Sequence, residues 1–414
     1  MPDLSSPAPC GRRKILFVAE AVTLAHVGRV ITLAQGLDPQ HFDVHVACAD
    51  GYDFAFQGCG FTRWPIKSIP SQQFLDALAE GKPVYDEATL ARYVDDDLAL
   101  LAQVRPDVVV GDFRLSLSVS ARLAKLPYVS LINAYWSPYT EPRYRVPHIP
   151  LTRFLPVPVA DLLFRAARPI AFALHARPLN AVRRKHGLPA LGSDLRRVYT
   201  DADRTLYADA AELFPPIGMP VEHSYIGPVT WSPPIPVPDW WNELPQDKPV
   251  VYVTLGSSGQ GQLLPLVLEA LADLPVTVLA ATAGNIDLAT VPANARVARF
   301  LPGDLAARRA GLVVCNGGAP TCHQALLAGV PVLGIAANLD QFLNMDGITR
   351  SGAGILLRAD RLTCFQVRAA AQALLADPAA RNAAQDVARV FATYDAHARF
   401  LAVIDSLTVR NPHR

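Results

Sequence analysis

The segment from Leu312 to Gln341 constrains the chain more than any other. It reads Leu-Val-Val-Cys-Asn-Gly-Gly-Ala-Pro-Thr-Cys-His-Gln-Ala-Leu-Leu-Ala-Gly-Val-Pro-Val-Leu-Gly-Ile-Ala-Ala-Asn-Leu-Asp-Gln. A short apolar run ends at Cys315 and a glycine-rich turn follows. A helix-like segment then extends through Ala328, and a second apolar run covers Val330 to Ile335. This is a strand–turn–helix–strand unit with its polar residues at the carboxyl end of a strand, where open α/β sheets bind ligands. Two glycines opening a helix leave backbone N–H groups free at the positive end of the helix dipole. An anionic group, a diphosphate foremost, suits that turn.

The same alternation of strand-like and helix-like stretches continues along the chain, which points to parallel sheets built from βαβ units. Strands are predicted at 14–20, 43–49, 108–112, 128–133 and 205–207, with helices at 27–36, 88–103 and 115–124. A second series follows: strands at 250–255, 276–281, 312–315, 332–335 and 355–357, a helix at 263–274, and an Ala-rich helical tail from 364 to 409. At 414 residues the chain exceeds one ordinary core. The expected division is a first domain over 1–228, a linker over 229–249, a second domain over 250–390 and a terminal helix over 391–414. The linker contains Pro233, Pro234, Pro236, Pro238 and Pro245 beside Trp240 and Trp241, a semi-rigid composition.

The residues of the central segment carry a resemblance. Gly317, Gly318, Thr321, Ala325, Leu326, Gly329, Pro331, Asp340 and Gln341 stand in register with the nucleotide-sugar signature of family 1 glycosyltransferases. So do Phe300-Leu301-Pro302, Asn344 and Gly352-x-Gly354. The family signature is roughly His-Gly-Gly-x-Gly-Thr-x-x-Glu-Ala-Leu, then Gly-x-Pro, then Asp-Gln. The group includes UDP-glycosyltransferases, antibiotic glycosyltransferases and rhamnolipid-type rhamnosyltransferases. The resemblance implies the GT-B fold: α/β, with two Rossmann-like doubly wound domains facing a central cleft.

It also implies a catalytic pair. His26, in Ala25-His26-Val27-Gly28-Arg29, falls on the family's base, and Asp112, closing the apolar run 108–111, falls on its partner. A histidine near a helix N-terminus sits in a positive potential that favours the neutral, proton-accepting imidazole. It needs a partner to hold its tautomer. A lone histidine there is otherwise a cap or surface residue, and a lone aspartate after a strand a loop residue. The family's Gly and Pro around this histidine are replaced by Ala25 and Arg29. Arg29 is expected to face solvent, with a donor phosphate or an acidic acceptor as the other reading.

For the donor the resemblance implies Gly256, Ser257, Phe300, Leu301, Asn316, Gly317, Gly318, Thr321, Gln324, Asp340 and Gln341. Gly256 and Ser257 would approach the phosphates, Phe300 and Leu301 would flank the base, and Asp340 and Gln341 would hold sugar hydroxyls. Three residues depart from the signature. Asn316 replaces a histidine and carries no charge. Pro320 removes a backbone N–H. Gln324 replaces a glutamate that accepts from the ribose. These departures leave altered donor choice and a degenerate site both open.

The acceptor side is least covered. The stretch 135–177 is rich in aromatic and aliphatic residues, is interrupted by prolines and is interleaved with arginines. Trp136 and Tyr139 are the acceptor candidates in an apolar pocket. Contact with a membrane is a second use of such a surface, and ordinary helix packing a third.

The six cysteines show no Cys-x-x-Cys spacing and no histidine cluster joins them, so no metal or cofactor is expected. A net charge of +1 gives no reason to expect a nucleic-acid partner. Residues 1–13 lack the apolar region of a signal peptide, so a cytoplasmic location is expected, with contact to the inner face of a membrane if the acceptor is a lipid. Oligomeric state is not legible. The reading that emerges is inverting, metal-independent transfer of a hexose from a UDP- or dTDP-sugar to a hydroxyl of a small lipophilic acceptor. The alternatives are a catalytically impaired partner or scaffold, and a nucleotide-sugar epimerase on the same fold.

Overall fold

The computed structural model describes residues 12–256, 260–284 and 288–408. The first sheet contains β1 (Arg13–Ala19), β2 (Phe42–Cys48), β3 (Thr62–Pro65), β4 (Val108–Asp112), β5 (Tyr128–Ile132), β6 (Arg204–Tyr207) and β7 (His223–Tyr225). The second contains β8 (Val250–Thr254), β9 (Thr277–Ala281), β10 (Ala295–Ala298), β11 (Leu312–Cys315), β12 (Val332–Ala336) and β13 (Gly354–Arg358). Their orders are β3-β2-β1-β4-β5-β6-β7 and β10-β9-β8-β11-β12-β13. Every pairing is parallel. Both sheets therefore have the doubly wound order, reversing between β1 and β4 and again between β8 and β11. A crevice opens at each reversal.

The central strands are mostly continuous apolar runs because helices cover both faces of a parallel sheet. Ile15 to Ala19 and Val251, Val253, Val313 and Val314 are all buried. The edge strands β3, β7 and β10 were absent from the expected set. They have three or four residues, and β3 and β10 are partly exposed, so neither shows an apolar run. The helix expected at 263–274 is a 3-10 turn, Gly261–Leu263, followed by a helix at Leu264–Leu271.

A larger difference concerns the proline-interrupted region. A single 29-residue helix, Val157–Lys185, runs through Pro169 and Pro178. A helical proline loses one backbone hydrogen bond. Here Phe172, Ala176, Leu179 and Val182 are buried along the helix, and that packing holds it together. Together with the short helix Pro150–Phe154, it belongs to an excursion between β5 and β6.

This excursion also bridges the two sheets. His148 N–H donates to Ala337 O at 2.7 Å, and Arg143 N–H donates to Asp346 Oδ2 at 2.9 Å. From the other side, Arg358 Nη1 donates to Val146 O at 2.6 Å. The helix Ala396–Thr408 lies against the first sheet, with Phe400 and Ile404 buried in the cluster of Ile15, Phe17 and Val27. Arg13 Nη2 donates to Ile404 O at 2.6 Å.

Candidate active site

β1 leads through residues 20–23 into the helix Leu24–Gln35, which begins with Thr23 as N-cap. His26 lies in its first turn. β4 ends at Asp112, whose backbone pairs with Ala19 of β1. Strand register thus brings both residues to the first reversal. His26 Nδ1 lies 2.7 Å from Asp112 Oδ1. A carboxylate only accepts, so Nδ1 carries a proton, and in the neutral ring Nε2 then keeps its lone pair. Asp112 is fully buried, whereas the His26 side chain keeps 16% of its exposure.

Arg29 does not face solvent. Three residues beyond His26 on the same helix face, it is buried and grips Asp112 with two hydrogen bonds, Nε to Oδ2 at 2.8 Å and Nη2 to Oδ1 at 2.7 Å. Its Nη1 donates to Asn133 Oδ1 at 2.6 Å. Burial alone lowers the pKa of a guanidinium, but the Asp112 carboxylate outweighs it and the net shift is upward. The expectation failed because a buried arginine needs a partner for all three nitrogens, and only packing against β4 and β5 supplies them.

The polar chain continues. Asn133 Nδ2 and Ala134 N–H donate to Asp209 Oδ2 at 3.1 and 2.6 Å. The other oxygen, Oδ1, lies 3.1 Å from His323 Nε2 of the second half, within ion-pair reach but without hydrogen-bond geometry. Asn133 and Asp209 follow β5 and β6 at the carboxyl edge, the position that could have flagged them. Phe113 was also missed. It adopts a left-handed backbone with φ 59°, uncommon for a bulky residue. Its ring stacks on His26 at 5.0 Å and 8°.

At the second reversal, Gly256 follows β8 and Asn316-Gly317-Gly318 follows β11, with Gly318 as N-cap of the helix Ala319–Leu327. Gly317 has φ +78°, and an added Cβ would lie 2.8 Å from Met345 Cγ. Asn316 Oδ1 accepts from Gly318 N–H at 3.0 Å. Thr321 is on the first turn of this helix, half-buried. Ser257 lies outside the described residues. Phe300 is 40% exposed and stacks on Phe54 of the first half, with centroids 6.5 Å apart. Leu301 is a core side chain.

Two donor candidates are engaged elsewhere. Gln324 Nε2 donates to Trp231 O at 2.8 Å and to Ser232 Oγ at 3.0 Å, so the amide faces the segment joining the two sheets. Gln341 Oε1 accepts from Ala337 N–H and Asn338 N–H, closing a capping box with Asn338. Gln341 Nε2 is buried with no hydrogen-bond partner among the described residues. Asp340 is on the first turn of the helix Leu339–Arg350, where Trp136 Nε1 donates to its Oδ1 at 2.8 Å. Burial pushes the Asp340 carboxyl up, opposed by the Trp136 hydrogen bond and the Arg29 charge.

A cavity of about 760 Å³ joins these groups. His26, Arg29 and Asp112 line one end, together with Gly318, Pro320, Asp340 and Gln341. Phe74, Phe113, Trp136, Phe164, Phe172 and Tyr199 form an apolar body. Tyr139 is not part of the lining and instead packs edge-on against His223 at 5.0 Å. It follows Trp136 on irregular backbone, where three residues of separation imply no shared face. No group of three or more potential metal ligands occurs among the described residues.

The chain is 52% identical over 390 residues to a PGL/p-HBAD biosynthesis rhamnosyltransferase of Mycobacterium bovis (strain BCG / Pasteur 1173P2), covering 94% of this chain and 87% of that protein. It belongs to the family 1 glycosyltransferases. Residues 265–396 match the model of the erythromycin biosynthesis protein CIII-like C-terminal domain. Two solved glycosyltransferases share the fold. Spinosyn forosaminyltransferase SpnP has a TM-score of 0.70 at 21% identity, covering 96% of this chain and 100% of its own. VinC, solved in complex with dTDP, has a TM-score of 0.67 at 19% identity, covering 95% and 99%. This glycosyltransferase therefore has the GT-B architecture, two parallel Rossmann-like sheets with their helices.

Proposed function

We propose that this glycosyltransferase moves a hexose from a nucleoside-diphosphate sugar to a hydroxyl of a lipophilic acceptor with inversion at the anomeric carbon. Rhamnose is the first sugar to test, after the relative's name, and a dTDP or UDP donor fits the family. The carrying observation is the placement of the His26–Asp112 pair in one cavity with the glycine turn and Asp340.

The chemistry follows from the geometry. His26 Nε2 takes the proton of the acceptor hydroxyl while Asp112 holds Nδ1–H and stabilises the imidazolium. The acceptor oxygen forms its bond to the anomeric carbon as the bond from that carbon to the diphosphate oxygen breaks. The departing diphosphate carries away the electron pair. The positive N-terminus of the helix Ala319–Leu327 would face that developing charge, while the N–H groups of Gly317 and Gly318 donate within the turn to Cys315 Sγ and Asn316 Oδ1. Asn316, Gly256 and Thr321 stand around this turn, Phe300 would pack on the base, and Asp340 with Gln341 Nε2 would hold sugar hydroxyls. The apolar body of the cavity takes the acceptor, with Trp136 in its wall. Peripheral contact with a membrane belongs to the same reading, since a lipophilic acceptor resides there. No described helix is long and apolar enough to cross a membrane.

The test combines binding and turnover. A nucleotide that binds only the folded protein raises its melting temperature. Wild type and His26→Ala should show equal shifts with the productive nucleotide, and only wild type should yield glycosylated acceptor by mass spectrometry. Turnover retained by His26→Ala would remove His26 from the reaction. Absence of any shift with UDP, dTDP or GDP would favour the scaffold alternative.

A further inference from the structure

The helix Val157–Lys185 is apolar on the wrong side as well as the right one. Its inner positions Ala160, Phe172, Ala176 and Leu179 are buried. Its outer positions Val159, Leu162, Ala166, Ile170 and Leu174 recur at helical spacing and are exposed, Ile170 at 66%. Phe154, on the helix just before, is 83% exposed. A helix facing water normally carries polar residues along such a stripe, and a contiguous apolar face of this kind marks an interaction site.

Two further observations identify what covers it. The first is charge. The helix bears Arg165, Arg168, Arg177, Arg183, Arg184 and Lys185 against a single acid of its own, Asp161; Arg183 is buried against Asp201 and Lys185 pairs with Glu87, which leaves Arg165, Arg168, Arg177 and Arg184 along it. Asp161 is already engaged, accepting from Val146 N–H and pairing with Arg165. Arg165 and Arg177 are exposed beside the stripe. Of the neighbouring acids on the helix Ser71–Glu80, Glu80 pairs with Lys82 and Asp76 accepts from Gln72. The second is continuity. Leu163, Ala166 and Ala167 are exposed on this helix and also line the catalytic cavity, so the cavity wall and the stripe are one surface. Apolar side chains flanked by arginines are the composition of a helix lying in a lipid interface, attracted by anionic headgroups and held by apolar burial.

We propose that the outward face of Val157–Lys185, with Phe154, docks on an anionic phospholipid bilayer, and that the acceptor's apolar chain passes from the bilayer over Leu163 and Ala166 into the cavity. This rests on the lipophilic-acceptor reading above. The docking part can be measured without any acceptor.

The full chain is sedimented with vesicles of phosphatidylglycerol and phosphatidylcholine, and with vesicles of phosphatidylcholine alone. The protein should pellet with the anionic vesicles, much less with the neutral ones, and less as salt rises. Phe154→Ser/Leu162→Ser/Ile170→Ser should weaken the partition by about 100-fold, because apolar burial sets interfacial affinity. Arg165→Glu/Arg177→Glu should weaken it by about tenfold on anionic vesicles only. None of these residues lines the cavity, so both variants should retain wild-type melting temperature and nucleotide shift. Transfer to a short, water-soluble acceptor should be unchanged, while transfer to an acceptor embedded in vesicles should fall with the partition. Wild type remaining in the supernatant, or the triple variant pelleting as well as wild type, would overturn the proposal. So would a wild-type dimer in solution that the triple variant converts to monomer, because the stripe would then be an interface between copies. Vesicle binding without any sugar transfer would leave the docking surface standing and remove the enzymatic reading instead.

Discussion

The two reversals of strand order face the same cavity but are built in opposite ways. At the β1/β4 reversal, side chains do the work and satisfy one another. Asp112 receives His26 Nδ1 and the Nε and Nη2 of Arg29, Arg29 Nη1 passes the connection to Asn133, and Asn133 passes it to Asp209. At the β8/β11 reversal the backbone does the work, through a glycine with positive φ and a helix N-terminus. The first arrangement suits a proton transfer, in which one imidazole must keep one tautomer. The second suits a leaving group that arrives and departs with each turnover, since a helix N-terminus attracts an anion without titrating. The inference is that damage at the first reversal should act on kcat, and damage at the second on donor binding.

The largest expected effect comes from the first reversal. Asp112→Asn should lower kcat by about 10²–10⁴-fold, the range of a general base that has lost its alignment. It should also cost about 3–5 kcal/mol of stability, because the buried Arg29 guanidinium loses its counter-charge. Urea unfolding and steady-state kinetics read the two consequences separately. A variant with normal stability and normal kcat would show that the buried ion pair is neither structural nor catalytic.

Gly317→Ala attacks the second reversal. The left-handed backbone costs a non-glycine residue about 1–2 kcal/mol, and the added Cβ meets Met345 Cγ. The methionine side chain is flexible, so the fold should survive while the turn shifts. The thermal shift with nucleotide should shrink, and the donor KM should rise by about tenfold, as for one lost charge-assisted bond. If kcat fell instead with KM unchanged, the division of labour between the two reversals would be wrong.

What could be read in advance follows the same division. β4 and β11 were legible to the residue because a strand buried on both faces must be a continuous apolar run. His26 and Asp112 were legible because they adjoin such runs. Arg29 was not, since its direction is decided by how the helix packs on β4 and β5. Phe113 could not be read, because nothing in a phenylalanine announces a left-handed backbone. The long helix was obscured by Pro169 and Pro178, whose local preference is overruled by the buried face of Phe172, Ala176 and Leu179. Gln324 and Gln341 were expected at the donor from their positions in the motif, yet the Gln324 amide nitrogen and the Gln341 amide oxygen are engaged by local backbone and hydroxyl partners that no motif encodes.

Trp136 is one of the points where the two halves meet, with its indole N–H on Asp340. Trp136→Phe keeps the apolar wall and removes the one donor. A carboxylate oxygen left without that bond costs about 1–3 kcal/mol. The donor KM should rise several-fold while kcat persists. Isothermal titration with the bare nucleotide should be unaffected, because Asp340 is proposed to meet the sugar and not the diphosphate. Weaker binding of the bare nucleotide would move Trp136 from the sugar subsite to general support of the second reversal.

The smallest effect tests how far polar burial in the first half extends beyond the reversal. His223 Nδ1 lies 2.7 Å from the Tyr207 hydroxyl, which also donates to Ser137 Oγ. Burial pushes the His223 pKa down to about 4. An unfolded histidine titrates near ~6.5. Between those values the unfolded chain binds a proton that the folded chain refuses, so stability is complete above pH ~6.5 and is lost as pH falls towards 4. The shift corresponds to about 3 kcal/mol at most, and partial exposure of the ring reduces it to about 1–2. Urea midpoints of wild type should fall between pH 7 and pH 4.5 more steeply than those of His223→Gln, which has no proton to gain. Equal slopes would remove His223 from the acid sensitivity, and the buried carboxylates Glu20 and Asp97 beside Arg114, whose pKa values burial raises, would not account for it either. The raised pKa of a carboxylate acts in the opposite sense, favouring the fold as pH falls, so the sign of the residual slope separates the two.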